Sequence, residues 1–515
     1  MTKFGTMEWK KDLEYFHEKT QQFYRGELSK NEYKGISGAF GSYAQRGGKA
    51  SMLRLRLTGG RITKDQLCFI AETIEKYNID LVHFTTCQTI QLHNLSPKAV
   101  CEIIEEAFAH GIITLGGGGD YPRNVMCAPL SGVEKGEYFD VLPYAESAAE
   151  YLLTFLHEKK MPRKLKVGFS NGPANTTHAT YRDLGFAACA DGTFDVYSAG
   201  GLGIHPKLGL KIAEHIPPSE ILYYICAMRD TFLDYGNYEQ RGRARTRFMR
   251  DKLGDEGYKK AFLEKLDHIY QSGEKLDVTV EPYRITKKGD GTSASGRRVT
   301  AQKQPGLFAV SYHPVGGCPP REIFRNLLAA VQEMEEVECR LSPDAGLYVI
   351  HLTGQEAEKI LELTKDSAKS LIETSVACIG ASVCQAGICD SQKLIREVVK
   401  ACREAGLREE SLPKIHISGC PSSCGTHQTG EIGFHGGIKM VDKVPHHVYT
   451  VHLKGCSIQG RECFGNQAGV MEEEQILLFL TELGRTVEES GVSYDRWIRE
   501  NQTMLYNIAR KYMMD

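Results

Sequence analysis

The stretch Leu53-Arg54-Leu55-Arg56-Leu57-Thr58-Gly59-Gly60 opens the first readable unit of the chain. Leu53, Leu55 and Leu57 alternate with Arg54 and Arg56, the period-two mark of a strand with one apolar face, and the glycine pair breaks it. Thr63 and Gln66 have the spacing of a capping box. Leu67, Ile70, Ala71 and Ile74 then recur at helical spacing. Leu81–Thr85 and Thr89–His93 read as short strands, and Val100, Ile103, Ile104, Ala107 and Phe108 mark a second helix that stops at Gly111. The order is strand, helix, strand, strand, helix.

That order returns in the second half. Leu307–Tyr312 reads as a strand broken by Gly316-Gly317, and Ile323, Leu327, Leu328 and Val331 mark a helix. Val337–Leu341 and Leu347–Leu352 read as strands, and Gln355–Leu363 as a helix. Identity between the halves is weak, but order and spacing agree, so an internal repeat is expected. The segments behind the units also correspond. Pro162-Arg163-Lys164-Leu165-Lys166-Val167-Gly168-Phe169-Ser170 sits against Leu412-Pro413-Lys414-Ile415-His416-Ile417-Ser418-Gly419-Cys420. Each reads as a proline-started strand running into a polar loop. Gly-rich turns are expected at Gly200–Gly203 and Gly433–Gly437, and Lys287–Gln304 reads as a linker between the copies.

A chain of 515 residues exceeds one ordinary core, so two to four domains are expected. A net charge of -2 gives no global pull toward nucleic acid or membrane. No apolar run approaches the roughly 18–20 residues that span a bilayer. Met1 to Lys30 is polar and charged, which argues against a signal peptide and for a cytoplasmic location. In that compartment the 16 cysteines read as buried hydrophobes, metal ligands or redox groups rather than disulfides.

Five residues separate Cys378 from Cys384, and three separate Cys420 from Cys424 in Ser418-Gly419-Cys420-Pro421-Ser422-Ser423-Cys424-Gly425. Two short loops are a direct way to bring four thiolates around an iron–sulfur cubane. The wider gap is a poor zinc knuckle. On spacing alone, buried cysteines that merely staple the fold remain an alternative. Lys164 and Lys166 are two apart and would share one side of a strand, with Leu165, Val167 and Phe169 toward the core. Two converging ammonium groups are costly unless an anion lies between them; a solvated strand edge is the bland alternative.

The cysteine pattern resembles the siroheme-dependent sulfite and nitrite reductases, and other stretches extend the resemblance. Thr85-Thr86-Cys87-Gln88-Thr89-Ile90-Gln91 is similar to the family's Thr-x-Arg-Gln-x-x-Gln segment. Asp120-Tyr121-Pro122-Arg123-Asn124-Val125 resembles its Arg-Asn segment, Pro162–Lys166 its Pro-Arg-Lys-x-Lys segment, and Arg243-Ala244-Arg245-Thr246-Arg247 a basic run near the end of its first half. The similar stretches run from about Tyr43 to about Gly469, in the family's order.

The resemblance implies an α+β fold: a pseudo-twofold repeat of ferredoxin-like half-domains with two larger α/β lobes. Expected domains are 1–115, an N-terminal extension with the first half-domain; 116–300, a siroheme-binding lobe with the anion site; 301–368, the second half-domain; and 369–515, the cysteine-bearing lobe. It implies a [4Fe-4S] cluster on Cys378, Cys384, Cys420 and Cys424, with the Cys424 sulfur also ligating siroheme iron. Arg123, Lys164 and Lys166 are the implied anion ligands. Siroheme carries eight carboxylates, so Arg46, Lys49, Arg54, Arg56, Arg243, Arg245 and Arg247 are candidates to pair with them, and Gly116–Gly119 is a place where backbone could approach the macrocycle.

The implied reaction is six-electron reduction of sulfite to sulfide. Lys166 tilts the choice toward sulfite, since plant-type nitrite reductases tend to carry Asn there; nitrite to ammonia is the alternative. With no flavin or nicotinamide motif, electrons are expected from ferredoxin or a flavoprotein subunit. One departure matters: Cys87 stands where the family usually has arginine, removing one of four expected cations. That keeps open a siroheme protein that transfers electrons or senses ligands without turnover. Asp344-Ala345-Gly346 likewise replaces a usual Asn-Gln-Asn, which leaves that loop without an assigned role. Cys389, Cys456 and Cys463 are expected to be core or incidental.

Overall fold

The computed structural model describes residues 6–514; the first five residues and Asp515, the outer ends of the first and last expected domains, lie outside the described residues. The first repeat unit is strand Ser51–Arg56, helix Lys64–Lys76, strands Val82–Phe84 and Thr89–Leu95, and helix Pro97–Ala109. Gly59 and Gly60 both take positive φ and turn the chain after the first strand. The capping box forms: Gln66 N donates to Thr63 Oγ1 at 3.3 Å, and Thr63 N donates to Gln66 Oε1 at 3.1 Å. The second unit repeats the order as Phe308–Tyr312, Glu322–Val331, Glu338–Leu341, Leu347–Leu352 and Gly354–Leu363.

In both units the last strand lies between the first and second, so the pleated order is the same. Arg61–Ile62 of the first unit pairs antiparallel with Arg340 and Cys339 of the second. The two units therefore share a core, in which Leu55, Ile70 and Ile90 join Val310, Leu327 and Val349. The first helix, Thr6–Tyr24, contributes Leu13 and Phe16 to it.

The larger lobes repeat as well. Met126–Cys127, Val167–Ser170 and Leu184–Ala188 are parallel neighbours, continued antiparallel by Phe194–Ser198 and Leu210–Ile216. In the second lobe Val376–Ala377, Ile415–Ser418 and Ile432–Val441 are parallel, continued antiparallel by Val444–Leu453 and Asn466–Met471. Order and direction match strand for strand. Each lobe has its own core, around Phe169, Phe186 and Phe232 in the first and Ile417, Phe434 and Phe479 in the second.

Three expectations change in detail. Lys164 and Lys166 precede the strand, which begins at Val167; Leu165 forms an isolated parallel bridge with Pro122. The alternation nevertheless holds, because Leu165, Val167 and Phe169 are buried. Each such burial stabilises by about 1.5–3 kcal/mol and aims the two lysines the other way. Gly433–Gly437 is not a turn but lies inside strand Ile432–Val441. A Cβ at Gly433 would stand 1.8 Å from the His427 carbonyl oxygen, so only glycine lets the strand pass. The end of the expected linker is also ordered: Val299–Ala301 pairs antiparallel with Phe308–Val310.

Candidate active site at the junction of the repeats

Thr85–Gln88 connects the two short strands of the first unit and carries Cys87. Its side chains, and Asn124 from outside, tie it to other segments. Gln88 takes positive φ and is fully buried; its Nε2 donates to Leu341 O at 2.7 Å and Cys127 O at 2.9 Å, while Cys127 N donates to Gln88 Oε1 at 3.0 Å. Asn124 Nδ2 donates to Leu57 O, Cys87 O and Gln88 O at 2.8, 3.1 and 3.0 Å. Thr86 Oγ1 donates to Cys424 O at 2.9 Å. The loop thus touches the second lobe at a cysteine of the four-thiol set.

Cations converge on this loop. Lys166 Nζ lies 3.2 Å from Cys87 Sγ. Burial raises the Cys87 thiol, but Lys166, Arg182 and Arg54 outweigh it and hold the group at about 6. Cys87 in turn pulls Lys166 up, yet burial with Arg182 and Arg245 leaves it below the usual ammonium range. Burial, then Arg245, Lys166 and Arg123, push Lys164 well below that range, with Cys424 opposing. Among the described residues no carboxylate forms an ion pair with Lys164 or Lys166.

Arg123 is fixed by glycine carbonyls: Nη1 donates to Gly117 O at 2.5 Å and Nη2 to Gly119 O at 2.8 Å. Its buried Nε–H has no partner. Burial lowers it to about 10. Arg54 also donates to Gly117 O, and Arg245 Nη2 donates to Asp183 Oδ2 at 2.8 Å, leaving its Nε–H buried and unpartnered. Arg182 had no sequence signal: it follows Thr180-Tyr181 in no recognisable motif. Its Nε donates to Thr177 O at 2.8 Å, while Nη2 is buried without a partner. It stands among the cations around Cys87, where the family's arginine is missing.

Other expected carboxylate partners go elsewhere. Arg56 is buried, and its Nη1 and Nη2 donate to Leu115 O at 2.6 Å and Arg123 O at 3.2 Å, so it holds backbone rather than presenting a free fork. Arg243 and Lys49 are exposed. Arg46 reaches the cysteine lobe instead, donating from Nη2 to Gly387 O at 2.6 Å. Arg247 is buried with Nη1 unpartnered. Gly116–Gly119 is already crowded by its own chain: a Cβ at Gly118 would meet Gly38 O at 2.4 Å, and one at Gly116 would meet Arg56 Nη1 at 2.8 Å.

The four cysteines come from two loops that meet. Gly419 N donates to Cys378 Sγ at 3.1 Å, tying one loop to the other. Burial pushes Cys378 up to about 12, with Cys424 adding. Burial also raises Cys424; Lys164 opposes, and Cys420 and Cys384 add. Cys378, Cys384 and Cys420 are half-buried and Cys424 is exposed, so the set is open to a metal, which binds thiols as thiolates. Groups whose ligand atoms lie within 4.8 Å of one another are, among the described residues, His427-His435-His452 and Cys189-Asp191-His215. The unpartnered guanidinium N–H groups of Arg123, Arg182, Arg245 and Arg247 fit a ligand bearing several carboxylates.

The matching place in the second unit differs. There the loop between strands is Ser342–Gly346, and Lys414, the counterpart of Lys164, has its Nζ 2.5 Å from Asp344 Oδ2. Lys414 and His313, against burial, hold Asp344 far below the usual carboxylate range.

Residues 118–270 match the nitrite and sulphite reductase 4Fe-4S domain, and residues 43–109 the nitrite/sulfite reductase ferredoxin-like half domain. The four cysteines lie outside the first match, in the lobe that repeats its strand order. The chain is 27% identical over 439 residues to the sulfite reductase [NADPH] hemoprotein beta-component of Bacillus licheniformis, covering 75% of this chain and 73% of that one. It is 25% identical over 405 residues to the ferredoxin–nitrite reductase of Synechococcus elongatus, covering 75% and 76%. The structure of the Mycobacterium tuberculosis NirA protein superposes with a TM-score of 0.77 at 21% identity, over 95% of this chain and 94% of that one. No helix among the described residues is long and apolar enough to cross a membrane. Both domain types are matched in order, the repeated architecture is reproduced and the cysteine loops are in place, so residues 43–270 carry the domains of the nitrite and sulphite reductases and the chain is similar to these oxidoreductases over three quarters of its length.

Proposed function

We propose that the protein reduces sulfite to sulfide, a six-electron reaction, at siroheme coupled to a [4Fe-4S] cluster. The observation that carries this reading is the convergence of Arg123, Lys164, Lys166 and Arg182 on the Cys87 loop beside Cys424. Lobe 116–300 would supply the anion site, and lobe 369–515 would hold the cluster on Cys378, Cys384, Cys420 and Cys424, with Cys424 also the residue that would face siroheme. When bound, the two cofactors supply electrons one at a time. The chain's own residues do the rest. Arg123, as a group that does not release its proton, clamps and polarises the anion. Lys164, whose ammonium form burial and the neighbouring cations disfavour, is the group placed to pass a proton to departing oxygens. Fixed cations stabilise charge that builds on those oxygens without reorganising.

Nitrite to ammonia is the second reading, favoured by the ferredoxin–nitrite reductase relative. The donor is ferredoxin or a separate flavoprotein. A cytoplasmic location goes with this reading. The test is turnover of the purified protein with reduced methyl viologen, read as sulfide or ammonia formed. Sulfide with the larger kcat/KM supports the proposal, and a larger value for nitrite replaces it with the second reading. Siroheme bands with no turnover of either anion would leave a non-catalytic electron carrier or sensor.

A further inference from the structure

We propose that His427, His435 and His452 bind a zinc ion at a site separate from the four cysteines, and that this ion clamps the loop carrying Cys420 and Cys424. The three imidazoles offer ligand nitrogens within 4.8 Å of one another, and His427 and His452 are buried. Strand pairing brings two of them together. His452 stands opposite Gly433 and His435 opposite Thr450, so the two histidines are diagonal neighbours on one face of the sheet. His427 reaches the same point from the loop below, its ring centroid 4.7 Å from that of His435 and 4.8 Å from that of His452.

The outer nitrogens are already engaged. His427 Nδ1 is 3.0 Å from Ser418 Oγ, and His452 Nδ1 is 3.3 Å from Gly465 O. With Nδ1–H donating outward, each ring turns an Nε2 lone pair inward, the arrangement that oriented metal-ligating histidines adopt. His435 Nδ1 lies 2.9 Å from His452 Nε2. A hydrogen bond across that gap would satisfy those two rings but leave His427 Nε2 alone, and this atom is buried without a partner. One ion satisfies all three nitrogens. Tetrahedral zinc with Zn–N of about 2.0–2.1 Å places its ligand nitrogens roughly 3.3 Å apart, so little movement is needed. Burial keeps the imidazoles neutral, with His427 held down at about 2 and His435 at about 4, so their lone pairs are available at neutral pH.

The site grips the cysteine loop through one side chain. Ser418 Oγ meets His427 and accepts from Gly425 N at 3.0 Å. Ser418 and Gly425 flank the segment that holds Cys420 and Cys424, so an ion on His427 holds both ends of that segment.

The experiment uses the iron-loaded full chain. Zinc and iron are counted by mass spectrometry after exposure to zinc and passage over a weak chelator, and the zinc absorption edge is analysed for its neighbours. The expected result is one equivalent of zinc, with three nitrogen neighbours at about 2.0 Å and no sulfur. His435→Gln should retain iron but lose zinc affinity by on the order of 100-fold, and Ser418→Ala should lose about tenfold. A wild type that keeps no zinc, a first shell containing sulfur, or a His435→Gln protein that binds zinc as tightly would each overturn the proposal. The zinc count and absorption edge of the wild type decide the matter even where a variant folds poorly.

Discussion

Lys166 Nζ meets Cys87 Sγ at 3.2 Å, so the position that lost an arginine has gained a potential thiolate held between Lys166 and Arg182. Near neutral pH that thiolate is a resident anion at the place proposed for sulfite.

The first prediction concerns this thiol. A group lowered to about 6 is deprotonated above that pH and protonated below it. Alkylation of Cys87 by iodoacetamide should rise through a midpoint near 6 and be flat by pH 8, read by mass spectrometry of the Cys87 peptide. A midpoint near the ordinary value of 9 would show that Lys166 does not stabilise the thiolate.

Cys87→Ala removes the competing anion. The KM for sulfite should fall at pH 7.5 by about tenfold, equivalent to about 1.4 kcal/mol. The gain should vanish below pH 6, where the wild-type thiol is already neutral. A pH-independent change would assign the effect to packing rather than charge.

Lys164→Met should separate binding from proton delivery. Loss of a positioned acid costs about 10²–10⁴ in kcat. The shift of the visible bands on adding sulfite should persist, because Arg123 and Lys166 remain. An unchanged kcat would move the acid role to another group.

Asn124→Ala leaves three backbone carbonyls without their shared donor. It should lower stability by about 1–3 kcal/mol, read from the urea midpoint. Disorder of the Cys87 loop should accompany it, read as faster amide exchange across Thr85–Thr89.

Gly433→Ala tests the strand that passes the cysteine lobe. Its Cβ would overlap the His427 carbonyl. Overpacking costs typically about 1–3 kcal/mol and occasionally more. The neighbouring strand Ile415–Ser418 leads into Cys420, so iron content should fall with stability.

Much of the scaffold was legible because it follows local periodicity. Leu53, Leu55 and Leu57 alternate, Thr63 and Gln66 cap, and both signals act over a few residues. Gly433 misled for a physical reason: glycine marks turns, but it also marks places where one backbone passes another, and only the fold says which. Arg123, Lys164 and Lys166 were candidates from motif and spacing, and the fold brings them together. Arg182 was not, since its approach to Cys87 depends on the register of strands far apart in the chain. Arg56 shared the alternation of Arg54, yet its burial and its carbonyl partners come from Leu115 and Arg123, a contact no local pattern announces. The three histidines are scattered over 25 residues and meet only through the pairing of two strands and a loop.

The ion pair of Lys414 and Asp344 has a consequence for the duplicated scaffold. Duplication hands the molecule two equivalent sockets. In one, no carboxylate among the described residues pairs with the lysine; in the other, a carboxylate from the same chain sits in the lysine's grasp as a permanent plug. On the proposed reading, a dissolved anion therefore binds at one side only, although the architecture offers two.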